Sequence, residues 1–135
     1  MKLSHLTSLS METIRNAQRL GYDGIEAQAG FVGGSSLDEI EANIGALREA
    51  LAKHKQVITS VAVYGGTIEV PKDEAIAYYE RAIKVARALD CNVVSGLTGR
   101  HNDKSVADNM PIFGEYFAPI SKIAEVNTRI YTYDF

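Results

Sequence analysis

Thr98, Arg100 and His101 stand together just past the apolar run Val93-Val94-Ser95-Gly96-Leu97. A guanidinium presents a fork of N–H donors that pairs through two bonds with a phosphate or carboxylate, which suits Arg100 to an anionic substrate. An imidazole changes charge near neutral pH, so His101 suits a ligand or an acid–base group. Tyr64, followed by Gly65 and Gly66, closes the preceding apolar run. It offers a ring to stack on a sugar or a hydroxyl to donate. Glu26 lies in an earlier run and can accept hydrogen bonds from a polar substrate. Each residue also has a plainer account. Asn102-Asp103-Lys104 continue a polar stretch in which Arg100 and His101 are simply solvated. Tyr64 can close the top of a core, and Glu26 can be a buried carboxylate that bonds neighbouring strands.

The other reactive side chains point to less. His54 sits between Lys53 and Lys55 at a polar helix end, and His5 lies near the terminus; both are expected to be solvated. Cys91 lies next to Asp90 directly before a strand, and no activating base has an evident partnership with it, so it is expected to be a small buried residue. There is no Walker-type loop, no Gly-x-Gly-x-x-Gly before a helix and no Cys/His set with zinc spacing.

Alternating elements must position these groups. A weak first strand, Lys2–Thr7, has only Leu3 and Leu6 as strongly apolar residues. Ser10 is expected to cap a helix with Met11, Ile14, Ala17 and Leu20 on one side, and Gly21 to end it in the left-handed conformation. A second strand, Tyr22–Ala29, leads through the small loop Gly30–Ser35 to Ser36, which with Glu39 makes a capping box. Leu37, Ile40, Ile44, Leu47 and Leu51 then mark the clearest amphipathic helix. Val57–Tyr64 is apolar and β-branched, as a strand covered on both faces should be, and Gly65-Gly66 is expected to end it. Pro71 and Asp73 open a helix bearing Ile76, Tyr79, Ala82, Ile83, Ala86 and Leu89. Strand Asn92–Thr98 is followed by a long polar loop, 99–109. A last helix is expected from about Pro111, with Pro119 kinking or breaking it. Arg129–Phe135 reads as a final strand, beginning near Thr128.

The chain has 135 residues, 46% hydrophobic and 23% charged, with a net charge of −3. These values fit one globular domain spanning 1–135 and provide no basic face for nucleic acid. No apolar run approaches the roughly 20 residues of a membrane span. The first residues lack a signal-peptide core, and a single cysteine fits a reducing compartment. A cytoplasmic protein is expected, without nucleic-acid or membrane partners.

Alternating strand and helix signals mark a parallel sheet. A parallel strand normally leads into a crossover helix. The last one leads nowhere, so the chain reads as the first part of a larger barrel. Gly21-Tyr22-Asp23-Gly24-Ile25-Glu26 after an amphipathic helix, and Ala75–Leu89 before Asn92-Val93-Val94-Ser95-Gly96, resemble the sugar-phosphate isomerase/epimerase family of xylose-isomerase-like barrels. The resemblance covers almost all of this chain but about the first half of a family member. It implies an α/β fold that is a partial (β/α)8 TIM barrel: about four βα units plus a final strand.

The resemblance further implies an active site at the carboxyl ends of the strands. It implies a small sugar or sugar phosphate as substrate and a divalent metal (Mn, Mg, Co or Zn). Most metal ligands are expected on strands five to eight, and this chain reaches only the fifth. There the family's Ile-Ala-Ile-Glu-Asn is replaced by Ile130-Tyr131-Thr132-Tyr133-Asp134. Asp134 is therefore the one candidate metal ligand, one residue later than the family's Glu, which puts it on the opposite face of a strand. Glu26, Tyr64, Thr98, Arg100 and His101 remain the candidate substrate residues.

Two functions are in view. The first is a truncated or half-barrel relative of the metal-dependent isomerases and epimerases, inactive by itself and holding no specific metal alone. The second is a non-catalytic assembly or binding module, a homo-oligomer that covers its own open sheet. A five-stranded doubly wound sheet also fits the length, although the resemblance argues against it.

Overall fold

The computed structural model describes residues 3–31, 34–125 and 129–133. Lys2, Val32, Gly33, Thr128 and Asp134, on which parts of the sequence-based expectation fall, lie outside them. Helices begin where the sequence supplies caps. Ser36 Oγ accepts from Glu39 N, and Glu39 Oε2 accepts from Ser36 N, both at 3.1 Å. This opens α2 (Leu37–Lys53). Ser10 makes the same reciprocal pair with Thr13 ahead of α1 (Met11–Leu20), and Gly21 ends that helix at φ 82°. α3 (Lys72–Ala88) follows Pro71, whose fixed φ favours a helix start.

Between the helices run β1 (Ser4–Ser8), β2 (Gly24–Gly30), β3 (Val57–Gly66), β4 (Val93–Leu97) and, after α4 (Val106–Ala124), β5 (Arg129–Tyr133). All neighbours are parallel. The sheet order is β1-β2-β3-β4-β5. Parallel crossovers are right-handed. An order that never reverses therefore puts the helices on one face and leaves no switch point, which excludes the doubly wound alternative.

Side chains alternate across the strands. Ile25, Ala27 and Ala29 of β2, Val61 and Val63 of β3 and Val94 of β4 are fully buried against Ile14, Leu37, Ile40, Tyr79, Ile83 and Ile120 of the helices. On the other face stand Leu6, Glu26, Gln28, Ser60, Ala62, Tyr64, Ser95 and Leu97. That face is largely small and polar.

The structure corrects several expectations. Gly65-Gly66 does not end the third strand. β3 continues through Gly66, which pairs with Leu97 after a register shift from Val63. Gly65, at φ 103°, absorbs the shift as a glycine at a bulge can. α4 starts at Val106, well before Pro111, because Ser105 Oγ accepts from Asp108 N at 3.2 Å. Of the two effects expected of Pro119, the break does not occur: α4 continues through it to Ala124. A proline removes one i→i−4 bond. The carbonyls freed by Pro111 and Pro119 belong to Ala107 and Glu115, both on exposed residues, where water can serve them.

β1 is a strand despite its weak signal, and it lies slightly later than expected. Its five residues pair with Gly24–Gln28. Asp23 Oδ2 accepts from Leu3 N at 2.8 Å, and Leu3 O accepts from Asp23 N at 2.8 Å. His5 is not freely solvated, since its ring stacks on Tyr22 at 4.9 Å. His54, at the end of α2, lies 2.6 Å from Gln18 Oε1 through Nδ1.

Candidate functional site at the strand ends

All strands being parallel, Ser8, Gly30, Gly66, Leu97 and Tyr133 end along one rim. The segments after β3 and β4 are bonded to each other there. Thr67 Oγ1 donates to Leu97 O at 2.6 Å and lies 3.1 Å from Tyr79 Oη. Ile68 N donates to Thr98 O at 2.9 Å. Thr67 and Thr98 are both buried. Burial pushes the Tyr79 hydroxyl up to about 12, against the opposing effect of its Thr67 bond.

A second tie is electrostatic. Glu69 Oε1 accepts from Arg100 N at 3.0 Å. The carboxylate rests against two glycines: a Cβ on Gly66 would overlap it, and one on Gly99 would lie 2.7 Å from Oε1. Gly99 is at φ 69°, where a side chain is strained. The Arg100 side chain points elsewhere, its Nε donating to Asn102 Oδ1 at 3.0 Å.

Asn109, from the first turns of α4, holds the following residues. Its Oδ1 accepts from His101 N at 2.9 Å. Its Nδ2 donates to Ser105 O at 2.9 Å, His101 O at 3.2 Å and Lys104 O at 3.5 Å. One buried amide thereby replaces backbone partners for a whole turn.

Of the residues singled out from sequence, Tyr64, Thr98, Arg100 and His101 share this rim. Tyr64 pairs with Gly30 in register, and its carbonyl accepts from Phe31 N at 2.8 Å. Glu26 stands apart, in mid-strand. Its Oε1 accepts from Ser95 Oγ at 2.9 Å across β3, and Ser95 Oγ lies 3.4 Å from Ser60 Oγ. That arrangement is the inter-strand carboxylate of the plainer account. Asp134 lies outside the described residues. Among the described residues no group of three or more His, Cys, Asp or Glu is placed to hold a metal ion.

Sequence reasoning missed Glu69, Ser95 and Asn109. The Ser105-x-x-Asp108 pattern is an available N-cap signal, and reading it would have moved Asn109 from loop to helix. A cleft of about 420 Å³ lined by Arg48, Gln56, Val57 and Asp90 lies at the start of β3, the opposite end from the rim. Cys91 is buried, and burial pushes its thiol up.

Residues 14–131 match the family described as xylose isomerase-like TIM barrel. A search of curated proteins finds no match. Among solved structures, an IolI protein with a bound zinc atom is 17% identical at a TM-score of 0.78, covering 99% of this chain and 51% of that one. The apo 3-keto-D-glucoside 4-epimerase YcjR from E. coli is 15% identical at a TM-score of 0.75, covering 98% and 55%. The Paramecium bursaria Chlorella virus arginine decarboxylase is only 8% identical yet superposes at 0.73, covering 97% and 39%. Proteins with such unlike names fit almost equally well, so this likeness shows the fold alone. The chain spans about half the length, or less, of these structures. Among the described residues no helix is long and apolar enough to cross a membrane.

Proposed function

The chain belongs to the xylose isomerase-like TIM barrel family, and on that footing we propose that it forms the N-terminal part of a sugar or sugar-phosphate isomerase or epimerase barrel. It contributes substrate-binding groups and not the reaction centre. The observation that carries this reading is the gathering of Tyr64, Thr98, Arg100 and His101 at the rim where TIM-barrel enzymes bind substrate. Tyr64 offers a face to a sugar ring, Thr98 directly follows the end of β4, and Arg100 and His101 offer donors to its oxygens. Glu26 contributes by bracing β2 against β4.

A reaction that moves a proton between carbons beside a carbonyl needs an acid–base pair and a means of polarising the oxygen. A divalent metal supplies the latter when bound. On the family's pattern most of its ligands come from strands five to eight, Asp134 being the one candidate in this chain. The isolated 135-residue chain is therefore expected to show no turnover with a panel of ketoses and ketose phosphates in the presence of Mn²⁺ or Co²⁺. Clear turnover by the purified chain would overturn the reading. The compartment proposed is the cytoplasm, in keeping with a single, buried cysteine.

A second reading, a non-catalytic homo-oligomer, is favoured by one feature. β1 and β5 are the two edges of the sheet, and Leu6 on the helix-free face is 40% exposed. Edge strands and uncovered apolar groups invite association. Light scattering at micromolar concentration is expected to give a dimer or larger species on this reading, and a stable monomer counts against it.

A further inference from the structure

At the rim, a negatively charged group already sits on backbone. The Glu69 carboxylate is held at the junction of β3 and β4 by the Arg100 N–H at 3.0 Å. It is packed where glycines 66 and 99 leave room that a Cβ would fill. Glu69 itself is exposed, so nothing buries it in that position. A backbone N–H beside a residue in the left-handed conformation, as Gly99 is, is the kind of concave corner that binds anions. The Arg100 guanidinium is turned to Asn102, whose Oδ1 accepts from Nε, and among the described residues nothing else holds it. Turned back toward the corner, its two terminal nitrogens would present the fork that a phosphate or carboxylate prefers.

We propose that this corner, formed by Gly66, Gly99 and Arg100, is an anion subsite at the strand mouth which Glu69 occupies as an internal stand-in. The anionic group of a sugar takes it when the Glu69 side chain swings into solvent. This deepens the functional reading above and rests on it, since it names the substrate class at the same rim: a sugar carrying a phosphate ester or a carboxylate. Glu69 then acts as a competitor. A neutral sugar gains nothing from the corner and leaves Glu69 in place, whereas an anionic one exchanges one charge-assisted bond for another and adds the Arg100 fork.

The test is a ¹⁵N–¹H titration of the whole chain with inorganic phosphate, reading the amides of Gly66, Gly99 and Arg100. In Glu69→Ala the three amides are expected to shift saturably, with affinity about tenfold tighter than in the wild type, the worth of one charge-assisted bond removed from the competition. Adding Arg100→Ala should weaken that binding several-fold. Should Glu69→Ala not fold, as judged by circular dichroism, Glu69→Gln keeps the volume and the acceptor while losing the charge, and should still bind phosphate more tightly than the wild type. A ketose phosphate and a hexuronate, titrated separately, tell a phosphate ester from a carboxylate, and a response to either supports the subsite. Amides that move no more in the folded variant than in the wild type overturn it, as does an equal response to a neutral ketose. Binding is read without turnover, so this result stands or falls separately from the activity assay.

Discussion

Gly96→Ala is expected to destabilise the fold by about 1–3 kcal/mol, and by under about 1 kcal/mol when Tyr79 is already phenylalanine. A Cβ on Gly96 would overlap Tyr79 Oη, with Cζ the next Tyr79 atom at 3.2 Å. The hydroxyl has little freedom to give way. It lies 3.1 Å from Thr67 Oγ1, and Thr67 is itself bonded to Leu97 O. The ring is fully buried and packs edge-on to Phe117 at 5.8 Å. Overpacking a site whose neighbours are hydrogen-bonded in place is therefore costly. Tyr79→Phe removes the obstructing atom at about 1 kcal/mol for the lost hydrogen bond. Urea unfolding of the wild type, both single variants and the double variant measures the coupling. Simple additivity would show that the hydroxyl is not the obstacle.

The same hydroxyl makes a pH prediction. Burial holds its pKa at about 12 in the folded chain, whereas an unfolded tyrosine titrates near 10. The folded state thus keeps the proton more tightly. The associated stability is fully present below about pH 10 and is lost as the pH rises through about 12, a total of about 3 kcal/mol. In Tyr79→Phe the alkaline fall in stability should be correspondingly shallower.

Asn109→Ala is expected to cost about 1–3 kcal/mol and to release the turn that carries His101. The buried amide serves four backbone groups in that turn, and alanine serves none. Trypsin should then cut faster after Arg100 and Lys104, in proportion to the open population. Asn109→Asp keeps the acceptor for His101 N but loses the Nδ2 donors, so it should fall between wild type and alanine. If cleavage at these two sites is unchanged in Asn109→Ala, the turn is held by something else.

The residues of the rim were only partly legible in the sequence. Arg100 and His101 stood out because they follow an apolar run, and position after a strand is a local property. Glu69 did not, because its importance lies in a bond to a backbone 31 residues away. Ser95 gave no signal either, since its hydroxyl meets Glu26 only when two strands flank a third.

What the sequence determined by itself is what short windows encode. Apolar spacing defined α2, Ser36 and Glu39 defined its start, Gly21 defined the end of α1, and four rounds of strand and helix implied a parallel sheet. Each is set by residues within a few positions of one another, through helical period, capping and backbone sterics. The tertiary structure decided the rest. It made a strand of Ser4–Ser8 by pairing it with β2, carried β3 through Gly65 and Gly66 to reach Leu97, and kept α4 continuous across Pro119. It also set a strand order that never reverses, where a doubly wound sheet had fitted the same length. These outcomes depend on free energies of contact between distant segments, which bury Tyr79 against Gly96 and fit Glu69 between Gly66 and Gly99. No local pattern carries those terms, because the atoms concerned become neighbours only once the sheet has assembled.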